Sequence, residues 1–576
     1  MRDWKRHAAA LGVLLLLAGC RESGNSAGGG LPASAAATEE FAANNAAAGL
    51  RSDPSGAEPA RTVYDPPIVV TVVRDLGGET TFAQGESIND NAWTRFIRER
   101  LGIVVHTAWT AGSEQTIRRL NVAVASNQLP DYFSATAAQL RQLAAAGQLA
   151  ELGELVERYG SERTKARIAG MEGGVQAATF DGRLLAVPAG LSVRDYAPVL
   201  WIRDDWLRRL GLQAPATMND VLAIAAAFAD KDPDGNGKDD TYGLGLHKGL
   251  FGANEGYGFA TIEGFFNGFG AYPFSWVAGD NGRLAYGGTQ PATREALLAL
   301  QRLYREGRID PDFAIKDEAG VADLADEGRL GMAYGAMWSA LNPLYRSRVA
   351  EPAADWQAYP IAGAAGPADA QTPATAVTNY YVASRNADHP EALIRMLNLY
   401  AELDDPAMPQ PLYDSLSNQG VREIWKYFPF NGFVDPDKNL LTRRSVAAAL
   451  SGGSTDGMTR EQLATYAHVL ADRQGGTAAD WAYSRIFGEG GSMAIIDGYI
   501  GADKLRPSLH GDFRSAEDVE LFGLLQRMEV ETYTRIVQGE SILLYDDWLE
   551  RWRTMGGERL TAAAEASRQQ QSSVPR

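Results

Sequence analysis

Apolar positions recur along the chain with two periods, one typical of strands and the other of helices. Residues 68–73 are a β-branched run that lies between prolines and a pair of glycines, which predicts a buried strand. Residues 93–101 carry apolar side chains at helical spacing and stop at a glycine, and a second β-branched run begins at 103–105. A strand, a helix and a strand in this order predict a parallel βαβ unit.

The alternation continues through the middle of the chain. Segments with helical spacing and short strand-like runs follow one another, with helices expected at 113–126, 139–159 and 218–229 and strands at 129–133 and 241–246. Thr217 stands immediately before the third of these helices and Asp220 follows three residues later, which is the arrangement of a capping box with Asp in place of Glu. The patterning therefore predicts an α/β protein.

The first residues have the architecture of a secretory signal. A short basic segment precedes an apolar run at 11–18, which is too short to span a bilayer, and small residues follow it. The sequence Leu-Ala-Gly-Cys that ends at Cys20 resembles the lipobox of bacterial lipoproteins, in which the cysteine is lipidated and becomes the first residue of the mature protein. We therefore expect a signal peptide at 1–19 and a lipid anchor on Cys20. The alternative is an ordinary apolar leader with a chance cysteine.

The mature chain separates into a linker-like segment and a large body. Residues 20–66 are rich in Gly, Ala, Ser, Asn and Pro, so they bury too little apolar surface to offset their ordering entropy and are expected to form a flexible tether. The remaining body is long enough for two or more domains with cores. It has no cysteine and no further run of 18 apolar residues, so we expect a body without disulfides. The lipid alone would then hold it at a membrane, on the extracytoplasmic side of the cell envelope.

Charge and composition narrow the classes of partner. The formal net charge of -18 at pH 7 argues against a nucleic-acid-binding protein, because phosphate neutralisation requires a basic face. The 12 Trp, 22 Tyr and 19 Phe supply many flat apolar faces. In a secreted acidic protein such faces serve as sugar-stacking platforms or as core.

Several stretches of the chain resemble one protein family. Residues 199–244, VLWIRDDWLRRLGLQAPATMNDVLAIAAAFADKDPDGNGKDDTYGL, are similar to the middle of the extracellular solute-binding family 1. These are the lipoprotein solute-binding components of bacterial ABC importers, and the resemblance is to their long oligosaccharide binders, including those for alginate fragments. Seven other stretches agree in order along the chain: NDNAWTRFIRERLGIVV, QLPDYF, GRLLAVP, LYREGRIDPDFA, EGRLGMAYGAMW, NADHPEALIRMLNLY, and YTRIVQGE with DDWLERWRTMGGERL. The resemblance extends from about residue 68 to residue 565.

This resemblance implies a periplasmic-binding-protein type II fold, in which two α/β lobes joined by a hinge close on a ligand in the cleft between them. The ligand would be an oligosaccharide, delivered by a monomeric, non-enzymatic binding protein to the permease subunits of an ABC importer. The expected segments are a first lobe at 67–187, a second lobe at 188–378, and a mostly helical segment at 379–576 that returns to the first lobe and crosses again to the second. The hinge is expected near Val187-Pro188 and near Thr378–Tyr381.

Residues 232–241, DPDGNGKDDT, place oxygen-bearing side chains at alternate positions with glycines between them. In an EF-hand-like loop the expected cation ligands are the side chains of Asp232, Asp234, Asn236 and Asp240 and the backbone carbonyl of Lys238. Gly243 stands where an EF-hand has its bidentate Glu, and a strand follows in place of a second helix. The loop therefore has no helix pair to open as a sensor does.

The family resemblance adds that the equivalent loop binds calcium and that a Glu after the last Asp commonly completes the shell. Thr241 occupies that position in this chain, which leaves water or Asp239 to complete it. The simpler alternative is a solvated Asp/Gly turn without metal. We predict a structural Ca²⁺, because four alternate side chains with hard oxygen and two glycines exceed what a turn requires.

Sugar sites combine aromatic faces with fixed hydrogen-bonding groups. The cleft residues expected on this basis are Asn89, Asp90, Asn91, Trp93, Trp276, Trp338, Tyr380 and Tyr381. The first four follow a strand whose end should face the crevice, although a plain helix cap explains them equally well.

The aromatic candidates further along the chain have different grounds. Trp276 lies in a Gly-rich region, where the alternative is a local hydrophobic staple. Trp338 resembles the family position at which an aromatic side chain faces the cleft, and the two tyrosines stand at the expected second hinge crossing. Two further tryptophans, Trp201 and Trp206, have the spacing of core residues.

Two other classes of function remain open at this point, a secreted glycosidase and a surface adhesin or signalling lipoprotein. Paired carboxylates occur in any acidic chain and do not identify a glycosidase. The predicted lobes contain no Gly-x-Ser-x-Gly elbow and no His-Glu-x-x-His, and the six histidines are scattered singly. A histidine metal site is therefore not expected.

Overall fold

The computed structural model of the chain describes most of the predicted body. The described residues are 49–51, 63–74, 82–110, 113–126, 128–171, 173–252, 258–279, 282–419, 422–509 and 516–572. The predicted signal peptide, Cys20 and most of the predicted tether lie outside these ranges.

The strands, in chain order, are β1 Gly49–Arg51, β2 Val63–Asp65, β3 Ile68–Arg74, β4 Ile103–Thr110, β5 Tyr132–Ala135, β6 Thr179–Phe180, β7 Arg183–Leu184, β8 Val187–Gly190, β9 Val199–Arg203, β10 Tyr242–Leu244, β11 Trp276–Ala278, β12 Leu284–Tyr286, β13 Leu330–Gly335, β14 Trp356–Tyr359, β15 Ala370–Thr372, β16 Val377–Ala383, β17 Asn418–Gln419, β18 Arg422–Glu423 and β19 Leu505–Pro507. They form two principal sheets and several two-stranded ribbons.

The α-helices, in chain order, are α1 Ala92–Leu101, α2 Ser113–Ser126, α3 Ala137–Ala145, α4 Gly153–Tyr159, α5 Glu162–Gly170, α6 Gly174–Ala177, α7 Asp204–Leu210, α8 Met218–Asp230, α9 Glu263–Gly268, α10 Pro291–Arg305, α11 Glu318–Asp326, α12 Leu344–Ala350, α13 Glu391–Ala401, α14 Gln410–Leu416, α15 Lys438–Leu450, α16 Arg460–Asp472, α17 Ala478–Phe487, α18 Ser492–Gly501, α19 Ala516–Val537, α20 Leu543–Met555 and α21 Gly557–Ser572. Short 3-10 helices lie at Val193–Tyr196, Gly287–Thr289, Met337–Ala340, Glu402–Asp404 and Ile424–Tyr427.

Five strands form the sheet of the first lobe, in the order β4-β3-β5-β16-β8. Strand β3 pairs in parallel with β4 and β5, whereas β16 pairs antiparallel with β5 and β8. The predicted βαβ unit is confirmed, since α1 connects the parallel neighbours β3 and β4. Ile68 and Val70 are buried in one apolar cluster and Val73 in another, so both faces of the sheet are covered.

The C-terminal end of the first helix, α1, lies close to strand β2. Gly102 ends α1 with a φ of 67°, and a Cβ atom there would lie 2.2 Å from the backbone oxygen of Tyr64. The side chain of Tyr64, in β2, is buried, and its hydroxyl donates a hydrogen bond of 2.7 Å to Glu391. The predicted tether at 20–66 therefore extends too far, because β2 already packs against the first lobe.

Four strands form the sheet of the second lobe, in the order β10-β13-β9-β14. Every residue of β9 and β13 is buried, including Arg203 at the end of β9, which pairs with Asp205. Trp201 and Trp206 lie in this core, as the spacing predicted. Buried residues from α15 through α21 belong to the same apolar cluster, so the C-terminal helices pack on the second lobe. The described part of the chain has no helix with the length and apolar character that crossing a bilayer requires.

In its described part, the chain passes between the lobes three times. It leaves the first sheet after β8, returns through residues 373–376 into β16, and leaves again between Phe433 and α15. Strands β8 and β16 are neighbours, and Gly190 pairs with Phe433, so the three crossings lie side by side. The residues expected at the hinge, Val187-Pro188 and Thr378–Tyr381, lie inside these two strands, and the crossings are the segments next to them.

Candidate ligand-binding cleft and metal loop

A cavity of about 470 Å³ opens where the crossings meet the second lobe. Its lining residues are Tyr196, Gly258, Glu318, Trp338, Pro373, Thr375, Ala376, Val377 and Thr378. They come from the 3-10 helix after the first crossing, the turn after β13, the start of α11 and the second crossing itself. The hinge segments therefore form one wall of the cleft and the second lobe forms the other.

Trp338 and Tyr196 are the two aromatic residues among the described residues that line the cavity. Their ring centroids are 5.5 Å apart and their planes make an angle of 90°. Trp338 is held in a tight turn, in which its backbone oxygen accepts hydrogen bonds from the N–H groups of Leu341 and Asn342 at 2.8 and 3.1 Å. Burial raises the pKa of Tyr196 to about 12, so its hydroxyl is neutral at physiological pH.

The second crossing supplies hydroxyl groups to the same cavity. The backbone N–H of Val377 donates to Oγ1 of Thr375 at 3.2 Å, and the hydroxyl of Thr378 donates to the backbone oxygen of Ala189 at 3.3 Å. These contacts fix two threonines between the hinge strands. An aromatic face beside fixed hydroxyl groups is the combination that sugar binding requires.

The polar residues predicted after the first strand have structural partners. Oδ1 of Asn91 accepts the N–H groups of Trp93 and Thr94 at 3.0 and 3.1 Å, so Asn91 is the N-cap of α1. Oδ1 of Asn89 accepts the N–H of Thr107 at 2.8 Å, and Asp90 pairs with an arginine at the surface. The helix-cap alternative accounts for this segment.

Trp93 belongs to the core of the first lobe and not to the cleft. Its side chain has an exposed fraction of 0% and its Nε1–H donates to the backbone oxygen of Leu416 at 2.9 Å. Tyr380 and Tyr381 are also buried, in the clusters on opposite faces of the first sheet. The Tyr381 hydroxyl accepts the N–H of Gly432 at 2.9 Å. The alternation of side chains along β16 therefore directs both tyrosines away from a ligand.

The prediction that Trp276 lines the cleft is wrong for the same reason. Its exposed fraction is 0%, and its ring packs against Tyr286 and Phe522 with centroids 4.9 and 4.8 Å apart. Its Nε1–H donates to the hydroxyl of Thr561 in α21 at 3.2 Å. The Gly-rich segment around Trp276 is covered by C-terminal helices that sequence patterning did not associate with it.

Side chains of the acidic loop between α8 and β10 form hydrogen bonds with one another. The Thr217–Asp220 capping box that begins α8 is present, as predicted. Within the loop, the amide of Asn236 donates to Asp234 at 2.6 Å and to Asp240 at 3.2 Å, and Asp232 accepts the N–H of Gly237 at 3.0 Å. The amide of Asn236 therefore joins two carboxylates, and the third, that of Asp232, accepts a backbone N–H.

Two features of the loop favour a cation-binding site, and one argues against it. Oδ1 of Asp232 is buried and accepts no hydrogen bond from the described residues. A hydrogen bond from Asp234 lowers the pKa of Asp232, and burial raises the pKa of Asp234, as expected where two acids compete for one proton. Within the described ranges, however, no group of three or more His, Cys, Asp or Glu side chains is arranged to hold a metal ion.

The hinge contains its own polar cluster. A cavity of about 40 Å³ lies where the three crossings meet, lined in part by Ser192, Val377 and Asp437. Asp195 is buried beside it and accepts a hydrogen bond of 2.9 Å from the amide of Asn439. Burial raises the pKa of Asp195 to about 7. These contacts join the first crossing to the third.

Sequence reasoning missed most of the cleft. Of the eight predicted cleft residues only Trp338 lines it; Tyr196, Glu318 and Thr375 were not singled out, and Thr378 was expected only at the hinge. One signal was available for the threonines, since Thr375 stands two residues before β16 and Thr378 is the second residue of this strand, at which the second crossing was expected.

Comparison with known proteins shows where the chain belongs. Residues 80–403 match the family model for the bacterial extracellular solute-binding protein. The lipoprotein LipO of Bacillus subtilis strain 168 is 37% identical over 131 residues, which is 23% of this chain and 25% of LipO. The polygalacturonan/rhamnogalacturonan-binding protein YtcQ of the same organism is 26% identical over 230 residues, 39% of this chain and 42% of YtcQ.

A third relative is the fructooligosaccharide ABC transporter substrate-binding protein FusA of Streptococcus pneumoniae. It is 25% identical over 218 residues, 36% of this chain and 40% of FusA. The chain thus aligns with less than half the length of each of these relatives.

Solved structures share the fold over nearly the whole body. FusA in complex with kestose has a TM-score of 0.58 at 16% identity, covering 88% of this chain and 99% of that one. The alginate-binding protein AlgQ2, solved without calcium ion, has a TM-score of 0.57 at 15% identity, covering 89% and 100% of the two chains. The expected two-lobe α/β fold of the type II periplasmic binding proteins is confirmed.

Proposed function

Because this chain belongs to the bacterial extracellular solute-binding proteins, we propose that it captures an oligosaccharide and delivers it to the permease subunits of an ABC importer. The observation that carries the proposal is the cleft of about 470 Å³, in which Trp338 and Tyr196 stand beside two threonines of the hinge. Aromatic faces receive the apolar side of a sugar ring and hydroxyl groups receive its polar edge.

The position of the cleft suggests how capture would work. Ligand bound against the second crossing would touch the segment about which the lobes move. Closure is favoured by a ligand only to the extent that it makes more contacts in the closed state than in the open state. A monomer with one cleft suffices for this mechanism.

The names of the relatives agree with a carbohydrate ligand. YtcQ is named for binding polygalacturonan and rhamnogalacturonan, and FusA for fructooligosaccharide. The first of these sugars is anionic and the second is neutral. The two names therefore support a carbohydrate ligand and do not indicate its charge.

A screen of glycans by thermal shift on the purified protein tests the proposal. A sugar present at 100 times its dissociation constant should raise the free energy of unfolding by about 2.7 kcal/mol. Stabilisation without release of reducing sugar supports a binding protein, whereas turnover by the pure protein would indicate a glycosidase. A screen without a single stabilising glycan would contradict the proposal and favour the adhesin or signalling alternative.

We also propose that the loop at 232–241 holds a structural Ca²⁺. The side chains of Asp232, Asp234, Asn236 and Asp240 and the carbonyl of Lys238 would hold it, after rotation of the Asn236 amide presents its oxygen in place of its nitrogen. The unpaired buried oxygen of Asp232 supports this proposal. A divalent cation would neutralise carboxylates that otherwise repel one another.

Finally, we propose that the mature protein is anchored by a lipid on Cys20, on the extracytoplasmic side of a membrane. The lipobox-like sequence and the similarity to LipO support the anchor. Cys20→Ser should move the protein from the detergent phase to the aqueous phase in detergent partitioning. Unchanged partitioning of the variant would contradict the anchor.

A further inference from the structure

A second, smaller cavity of about 10 Å³ adjoins the cleft. It shares Tyr196 and Gly258 with the larger cavity as lining residues, and Glu263 and Gln371 lie among its other walls. This volume corresponds to about one water-sized group. The smaller cavity is therefore suited to a single polar substituent of a ligand that lies in the cleft.

Glu263 brings a buried carboxyl group to this cavity. Only 3% of the residue is exposed, and its Oε1 accepts a hydrogen bond of 2.6 Å from the N–H of Gly252. Its Oε2 is buried and accepts no hydrogen bond from the described residues. A buried acceptor without a donor is costly, so a ligand that supplies the donor gains affinity.

Gln371 cannot be that donor, because its own groups are used. Its backbone N–H donates to Oδ1 of Asn267 at 2.9 Å, and its side-chain Nε2 donates to the backbone oxygen of Pro273 at 3.1 Å. Its side-chain oxygen accepts the amide of Asn267 at 2.9 Å. This network fixes Gln371, so the carboxyl group of Glu263 and the hydroxyl of Thr261 beside it are the polar groups left for a ligand at this cavity.

A second carboxyl group, that of Glu318, lines the larger cavity. A Cβ atom on Gly258 would lie 2.2 Å from its Oε2, so the missing side chain at Gly258 lets this carboxyl group stand at the cleft wall. Among the described residues that line the two cavities there is no Lys, Arg or His. The nearby Lys316 is paired with Asp310. In this part of the chain, the two cavities are therefore lined by carboxyl groups without a basic side chain.

We propose, on the basis of the carbohydrate-binding function, that Glu263 and Glu318 select oligosaccharides that are neutral or carry amines and reject those built from uronic acids. The Oε2 atom of Glu263 accepts a hydrogen bond from a hydroxyl or N–H group that enters the smaller cavity. A uronate would place its carboxylate beside these carboxyl groups, without the arginine or lysine that carboxylate recognition normally uses.

Matched sugar panels test this selectivity on the full-length protein in detergent. The neutral sugars of the panel are fructooligosaccharides and chitooligosaccharides, and the amine-bearing sugars are glucosamine oligosaccharides made by de-N-acetylation of the chitooligosaccharides. Oligogalacturonates and their methyl esters complete the panel. Titration calorimetry measures the affinity for each sugar. The highest affinity should fall on a neutral or amine-bearing sugar. The methyl ester should bind at least about tenfold more tightly than the free oligogalacturonate, because esterification removes the charge.

Variants identify the residues responsible. Glu263→Gln and Glu318→Gln should each weaken the best sugar by about tenfold, since each replaces a carboxyl group of the cleft by an amide. Glu295→Gln, on the exposed face of α10, is the matched control and should leave the affinity unchanged. Glu318→Lys should raise the affinity for oligogalacturonate. Because Glu318 is only partly buried, its variants report on selectivity even if the Glu263 variant fails to fold.

The outcomes separate this inference from the proposed function. Tightest binding of an oligogalacturonate would overturn the inference while supporting carbohydrate binding, and so would affinities in both Gln variants equal to that of Glu295→Gln. Failure of every sugar to bind would contradict the proposed function and the inference together.

Discussion

The ring of Tyr196 stands perpendicular to the indole of Trp338, with centroids 5.5 Å apart. The 3-10 helix after the first crossing carries Tyr196, and the 3-10 helix after β13 carries Trp338. The contact therefore ties the aromatic wall of the cleft to the segment about which the lobes move. Any ligand that stacks on Trp338 lies beside the hinge.

The most direct prediction concerns this aromatic wall. Trp338→Ala should weaken the best-binding sugar by ~1–3 kcal/mol, the scale of one large apolar face. Trp338→Tyr should keep part of that affinity. Tyr304→Ala, on α10 and outside the cavity lining, is the control and should bind normally. Normal binding by Trp338→Ala in calorimetry would remove this residue from the site.

Trp276 should behave in the opposite way, because it is core. Trp276→Ala should lower the free energy of unfolding by ~3–5 kcal/mol, as removal of a fully buried tryptophan does. Trp338→Ala, by comparison, should change stability only slightly. Urea denaturation checks both variants, and an unchanged midpoint for Trp276→Ala would show that its side chain is not buried in solution.

The metal loop predicts a stability that depends on calcium. Chelator should lower the Tm of the wild-type protein, and calcium at 100 times its dissociation constant should restore about 2.7 kcal/mol. The double variant Asp232→Asn with Asp234→Asn should not respond. Lys238→Ala should respond normally, because only its backbone carbonyl is a proposed ligand. Sugar affinity should shift only modestly, since the loop does not line the cleft.

Two measurements decide between the metal and the plain turn. Elemental analysis should find about one calcium per chain in protein purified without chelator. A wild-type Tm that ignores both chelator and calcium, together with protein free of calcium, would establish the solvated turn. Loss of the response in Asp239→Asn would show that this side chain completes the shell.

A buried acid in the second lobe predicts how stability varies with pH. Burial raises the pKa of Glu529 from 4.5 to about 8, and Tyr286 donates a hydrogen bond of 2.6 Å to its carboxyl group. Between these two pKa values the folded state keeps a proton that the unfolded state has lost. The contribution to stability is therefore complete below about pH 4.5 and falls as the pH rises toward 8.

The loss should amount to at most ~1.4 kcal/mol for each pH unit in that window. Glu529→Gln, which cannot ionise, should remove this part of the pH dependence, whereas the surface variant Glu295→Gln should retain it. Urea denaturation across the window provides the measurement. A Glu529→Gln variant with the same slope as the wild type would assign the pH dependence to other groups.

Ligand-induced closure is the last prediction. Sugar at saturation should reduce the radius of gyration measured by small-angle scattering, because it would bridge the second lobe and the hinge. A sugar that fails to stabilise the protein in thermal shift serves as the control. A sugar that binds tightly and leaves the scattering curve unchanged would contradict closure.

Local patterning was sufficient for much of the architecture. The β-branched run at 68–73 became strand β3, and the Thr217–Asp220 pair became a capping box, because both depend on residues close in sequence. The order of strands and helices likewise predicted the α/β class. These features are set by side-chain period and by hydrogen bonds within one turn of helix.

Tertiary structure alone decided which side chains meet the ligand. An exposed aromatic and a buried one look alike in sequence, and Trp276 is buried by Thr561 and other residues of helices that begin more than two hundred residues later. Trp338 lies at a cleft only because the second crossing and the start of β16, at residues 373–378, form the opposite wall. Burial depends on contacts between segments far apart in the chain, so no local period encodes it.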